Sequence, residues 1–118
     1  MNMKLNNISV IIFLILITIG SSIPGKNMPA LNVLNFDKVL HFVEYFILGF
    51  LLFKVLVDKT NHPRILTLFL GFMFCVSDET YQFTVLGRFP STFDVFADML
   101  GLTLSIILFK NFNNIVNQ

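Results

Sequence analysis

Four runs of apolar side chains, each close to the length that crosses a lipid bilayer, leave this chain little choice of fold. The hydrocarbon core is roughly 30 Å thick and a helix rises about 1.5 Å per residue, so a span takes about 20 mostly apolar residues. Residues 8–23, 39–57, 65–85 and 93–109 come close to that length, and charged or turn-forming residues bound each of them. The expected fold is all-α: a bundle of four transmembrane helices with short loops, in one domain over residues 1–118. Composition agrees, since 55% of the residues are hydrophobic and only 13% charged, far from the balance of a soluble domain. The mean hydropathy of +0.78 points the same way.

The first run is the shortest, and Pro24-Gly25 closes it. Lys4 before it and Gly20-Ser21-Ser22 at its end are also the marks of a cleaved signal peptide, so both readings stay open. A net charge of +1 offers no basic field, which argues against a nucleic-acid partner. The single cysteine, Cys75, lies inside an apolar run and reads as a small buried hydrophobe.

Orientation follows from the basic residues of the short loops. With four spans, Lys4, Lys54, Lys59, Arg64 and Lys110 fall at one surface and Lys26, Lys38 and Arg88 at the other. The excess of positive charge puts both termini in the cytoplasm. His62 and Asp58 belong with the inner loop.

The acidic residues are segregated too. Asp37, Glu44, Asp78, Glu79, Asp94 and Asp98 all lie toward the surface assigned as outer, and only Asp58 does not. Chain parity brings three helix ends together there, with Glu44, Glu79 and Asp98 each roughly 8–10 Å deep by helical rise. Asp37, His41 and Glu44 follow an i, i+4, i+7 stripe, Glu79 and Gln82 are i, i+3 neighbours, and Asp94 and Asp98 are one turn apart. A carboxylate costs several kcal/mol inside hydrocarbon, so these groups should face the bundle and find partners. Six carboxylates beside so few cations require that some carry a proton, or that a cation or cationic ligand group sits among them.

The candidate polar site is therefore His41, Glu44, Glu79, Gln82, Arg88, Asp94 and Asp98. Arg88 and Asp94 read either as a salt bridge fixing the outer loop or as a site where Arg88 meets an anionic envelope lipid. Glu79 and Gln82 read as an interhelical hydrogen-bond pair or as an acid–base group with its orienting neighbour. His41 and Glu44 have H-x-x-E spacing, but the partner motif of a zinc hydrolase is missing, so neither a metal nor a cofactor is assigned. Tyr45 and the many phenylalanines read as lipid-facing or packing groups. Gly87-Arg88-Phe89-Pro90 forms a turn, after which Ser91 is the expected N-cap with Asp94 at the third helical position. Ala97, Gly101 and Ser105 recur every four residues, a small-residue stripe for close helix packing or for pairing with a second copy.

Three blocks carry a resemblance: Asp37-Lys38-Val39-Leu40-His41-Phe42-Val43-Glu44-Tyr45-Phe46-Ile47-Leu48-Gly49-Phe50, then Asp78-Glu79-Thr80-Tyr81-Gln82, then Gly87-Arg88, Ser91, Asp94 and Gly101. Together, in this order and spacing, they resemble the VanZ-like membrane protein family, with the motif-bearing region over residues 37–105. The resemblance implies a small multi-pass protein of the bacterial cell membrane, linked to resistance to the glycopeptide teicoplanin. It implies motif membership for Asp37, His41, Tyr45, Glu79, Gln82, Gly87, Arg88, Asp94 and Gly101. Asp98 departs from the family pattern, which more usually has Asn there. The expected partners are membrane lipids and a lipid-linked cell-wall component. Four roles follow as alternatives: an envelope protein that alters the response to glycopeptides, an intramembrane enzyme on an envelope lipid, a proton- or cation-linked carrier, which would almost require a homo-oligomer, and a structural or regulatory subunit that pairs through Ala97, Gly101 and Ser105.

Overall fold

The computed structural model describes residues 3–24 and 36–116, with side chains for 4–24 and 38–109. Gly25 and Lys26, and the side chains of Asp37 and Lys110, lie outside the described residues. Four helices account for the fold: α1 (Met3–Ser21), α2 (Phe36–Leu56), α3 (Pro63–Gln82) and α4 (Thr92–Val116), with no strand among the described residues. Three of them, α1, α2 and α4, are long and apolar enough to cross a membrane. Helix α3 has 20 residues, long enough by rise, but Asp78, Glu79 and Gln82 crowd its C-terminal end and make it less apolar.

The helix ends differ from the sequence expectation for local reasons. Helix α1 starts at Met3 rather than at residue 8, since Lys4, Asn6 and Asn7 are polar without being helix breakers. Helix α3 stops at Gln82 rather than at residue 85, because the next amides, Thr84 and Val85, turn back to the carbonyls of Tyr81 and Gln82 at 2.9 and 3.1 Å. Gly87, with φ at 78°, then reverses the chain in a conformation that a side chain disfavours. Helix α4 continues past residue 109 to Val116, with no Gly or Pro to end it earlier.

Two contacts fix which ends lie together. Lys59 donates to Asn7 at 3.1 Å, so the start of α1 meets the α2–α3 turn. Arg88 donates to Gly20 O at 2.7 Å, so the end of α1 meets the α3–α4 loop. The packing between the two ends is inverted relative to a soluble protein. Ile8, Ile11, Ile12, Ile15 and Ile19 of α1 are all at least half exposed, while Asp78, Glu79, Asp94 and Asp98 are buried. An exposed apolar belt around a polar interior is stable only where the surrounding medium is itself apolar.

Helices α2 and α4 make the closest pair. A Cβ on Gly101 would meet the carbonyl oxygen of Phe42 and lie 2.9 Å from the amide of Phe46, so only glycine permits this approach. Ala97 and Ser105 of the same stripe are buried, and a Cβ on Gly49 of α2 would meet Ser105. The stripe therefore packs within the chain rather than facing a second copy. Tyr45 is also not lipid-facing: it is fully buried with Leu48, Cys75, Leu102 and Ile17, its ring 6.4 Å from that of Phe74. Toward the α2–α3 turn the interior is apolar, built on Phe53, Ile106 and Phe109.

Candidate functional site

At the end of the bundle where α2 begins and α4 begins, five ionisable side chains from three helices converge. His41 of α2 stands at the centre. Its Nδ1 lies 3.0 Å from Oδ1 of Asp98 on α4 and 3.7 Å from Oε1 of Glu79 on α3, and its Nε2 lies 3.9 Å from Oδ1 of Asp94. Lys38, one turn before His41, pairs with Asp94 at 2.6 Å. The three carboxylates are all at least nine-tenths buried.

Each acidic group is held by a different device. Asp94 sits at the third position of α4 and accepts from the amide of Ser91 at 3.1 Å, the reciprocal arm of a capping box. Ser91 takes the N-cap position, but its own hydroxyl is buried without a hydrogen-bond partner. Asp98, one turn deeper, receives the imidazole on one oxygen and the Cys75 thiol, at 3.1 Å, on the other. The cysteine is buried as expected and is also a donor. Glu79 stands apart: neither carboxylate oxygen has a hydrogen-bond partner, although both are buried. It also forms part of the wall of an open groove of about 250 Å³ with Phe83, Pro90, Ser91, Thr92 and Val95.

A second polar group lies beside the first and ties α1 to α3. Ser21 donates to Asp78 at 2.6 Å, and Gln82 reaches both Ser21 and Asp78 at 3.3 Å. The hydroxyls of Ser22 and Tyr81 meet at 2.7 Å. Gln82 thus pairs with Asp78, one turn back on its own helix, and not with Glu79.

Of the residues singled out in the sequence, His41, Glu79, Asp94 and Asp98 come together. Glu44 is on α2 but only half-buried, and it joins none of these hydrogen bonds. Arg88 does not bridge to Asp94. Its guanidinium instead donates to Gly20 O at 2.7 Å and Ile23 O at 3.1 Å, carbonyls at the end of α1, the first of which also accepts from the Ile23 amide at 3.3 Å. The cation that Asp94 does receive, Lys38, was legible in principle: residues 38, 41 and 45 share one helical face. Ser21 gave no such signal, because a single serine at the end of an apolar run reads only as a boundary.

The arrangement places a buried carboxylate with free acceptor capacity next to an imidazole, a lysine and an open groove. It can accept donors from a ligand, or hold a proton or cation. Sequence comparison bears on whose site this is: the model of the VanZ/LLP1 family matches residues 2–114. The chain belongs to the VanZ/LLP1 family. All four helices fall within the VanZ/LLP1 match, except the last two residues of α4. Comparison with curated proteins and with solved structures gives no significant match.

Proposed function

We propose that this VanZ-family protein is a four-span, single-domain protein of the bacterial cell membrane whose outward polar site engages a lipid-linked cell-wall component and so alters the response to glycopeptides such as teicoplanin. The observation that carries the reading is Glu79: buried, without a hydrogen-bond partner on either oxygen, and shared between the His41 cluster and the groove. A carboxylate left so in a low-dielectric interior costs free energy that a structural role does not repay. The groove wall is almost wholly apolar, with Phe83, Pro90 and Val95 along it, a surface suited to a lipid chain lying beside the buried Glu79. Lys54, Lys59 and Arg64 near the opposite end support both termini in the cytoplasm and the site facing out.

The test is expression of wild type and Glu79→Gln in a susceptible bacterium, with teicoplanin susceptibility and membrane abundance measured together. The reading expects the variant to accumulate normally and to lose the resistance given by the wild type. Equal resistance from a well-expressed Glu79→Gln overturns it.

The groove beside an acid–base pair also favours a second reading, an intramembrane enzyme acting on an envelope lipid. A carrier is favoured less. Every buried carboxylate among the described residues lies at this one end, the core toward the α2–α3 turn is built on Phe53, Ile106 and Phe109, and the buried polar groups away from the site are the hydroxyls of Thr67 and Ser105, each bonded to its own helix.

A further inference from the structure

The geometry points to a divalent transition-metal site of the zinc class, built from His41 Nδ1, Glu79 and Asp98. One ligand atom from each residue lies within 4.8 Å of the others. An ion bound at about 2.1 Å by nitrogen and oxygen ligands sets neighbouring ligand atoms about 3.0–3.4 Å apart. The separations from Nδ1, 3.0 Å to Asp98 and 3.7 Å to Glu79, bracket that range, and the two carboxylates, within 4.8 Å of each other, would draw together on binding.

Three independent features support an ion here rather than a plain acidic cluster. Glu79 is 6% exposed, neither of its oxygens has a hydrogen-bond partner, and Oε1 stands 3.7 Å from His41 Nδ1. An imidazole beside two carboxylates is a mixed nitrogen–oxygen donor set, which suits zinc and its neighbours over magnesium or calcium. The neighbouring contacts also hold the group in place. His41 is positioned by its Nδ1 contact to Asp98 at 3.0 Å, with its Nε2 edge 3.9 Å from Asp94, and an ion bound at Nδ1 would displace the proton shared there. Asp98 is steadied on its other oxygen by Cys75.

Charge leads to the same place. One lysine does not offset Glu79, Asp94 and Asp98 together, whereas a divalent ion held by Glu79 and Asp98 brings that pair to neutrality. Three protein ligands leave a coordination position open, and Glu79 connects the site to the groove.

The inference rests on the reading of this cluster as the site, but it is separable from the antibiotic response. The test uses the full-length protein in lipid nanodiscs, stripped with a chelator and dialysed against Zn²⁺ with excess Mg²⁺. The wild type should hold about one zinc per chain. Affinity should fall at least tenfold in Glu79→Gln and Asp98→Asn, in line with loss of a ligand, and stay unchanged in His62→Gln. X-ray absorption of the zinc-loaded wild type needs no variant, and should show nitrogen and oxygen neighbours at about 2.0–2.2 Å and no sulfur. Failure to retain zinc, retention unaffected by both site variants, loss in His62→Gln, or a sulfur shell at about 2.3 Å would each overturn the assignment. Loss of resistance in Glu79→Gln without zinc binding would remove the metal and keep the site. Zinc binding with unchanged resistance would do the reverse.

Discussion

Replacing Gly101 with alanine adds one methyl group at the tightest point of the bundle. The new Cβ would overlap the carbonyl oxygen of Phe42 and stand 2.9 Å from the amide of Phe46, both backbone atoms that no rotamer change can move aside. Helices α2 and α4 must therefore separate, and overpacking of this kind costs about 1–3 kcal/mol. Some of that is returned, since alanine is favoured over glycine inside a helix by about 0.5–1 kcal/mol. The net lies between about 0 and 2.5 kcal/mol, and overlap with two backbone atoms puts the expected loss in the upper half of that range. The effect should also reach the site, because His41 precedes Phe42 on α2 and Asp98 lies less than one turn before Gly101 on α4. Gly20→Ala is the internal control, for a Cβ there has nothing within 4 Å. Reversible unfolding of the two variants in mild detergent reads the difference. Gly101→Ala as stable as the wild type, or Gly20→Ala equally damaged, would refute the packing argument.

Other substitutions separate the roles of neighbouring groups. Asp98→Ala leaves the His41 imidazole and the Cys75 thiol without their acceptor, and should destabilise by about 2–4 kcal/mol in the same unfolding assay, with Asp98→Asn milder. Lys38→Ala and Asp94→Ala should not be additive: a double-mutant cycle is expected to give a coupling of about 1–3 kcal/mol, and a value near zero would mean that the 2.6 Å pair is not formed in the membrane. Gly87→Ala, forced to φ near 78°, should cost about 1–2 kcal/mol by denaturant titration. Arg88→Ala should loosen the end of α1, seen as faster amide exchange at Ser21–Ile23, while leaving the His41–Asp98 hydrogen bond in place.

How far the sequence alone reached depended on the kind of information each feature needed. The helices and their parity were legible because lipid demands long apolar runs, and parity alone brings Asp94 to the level of Lys38. The convergence of His41, Glu79 and Asp98 followed from depth and helical phase. Partner choice did not. Arg88 and Lys38 were both available to Asp94, and the decision rests on the carbonyls at the end of α1, which exist only once that helix is docked. Gln82 chose Asp78 over Glu79 for a similar reason, since Ser21 supplies the third member of that group. Glu44 shares the turn spacing of His41, yet the cluster forms on the side of His41 that faces α3 and α4. The H-x-x-E spacing therefore pointed along one helix, while the ligating residues come from three.

The site exists only if α2 and α4 meet directly at His41 and Asp98, and dipolar NMR in lipid bilayers measures that meeting. With histidine ¹⁵N-labelled, aspartate ¹³C-labelled at the carboxyl, and His62 replaced by Gln, the remaining imidazole reports one site, the chain having two histidines in all. A separation of 3.0 Å between Nδ1 and Oδ1 predicts strong dephasing of the Nδ1 signal by a carboxyl carbon, lost in Asp98→Asn. An imidazole that no aspartate carboxyl dephases would mean that the two helices do not meet there, and neither the site nor its proposed ligand would remain.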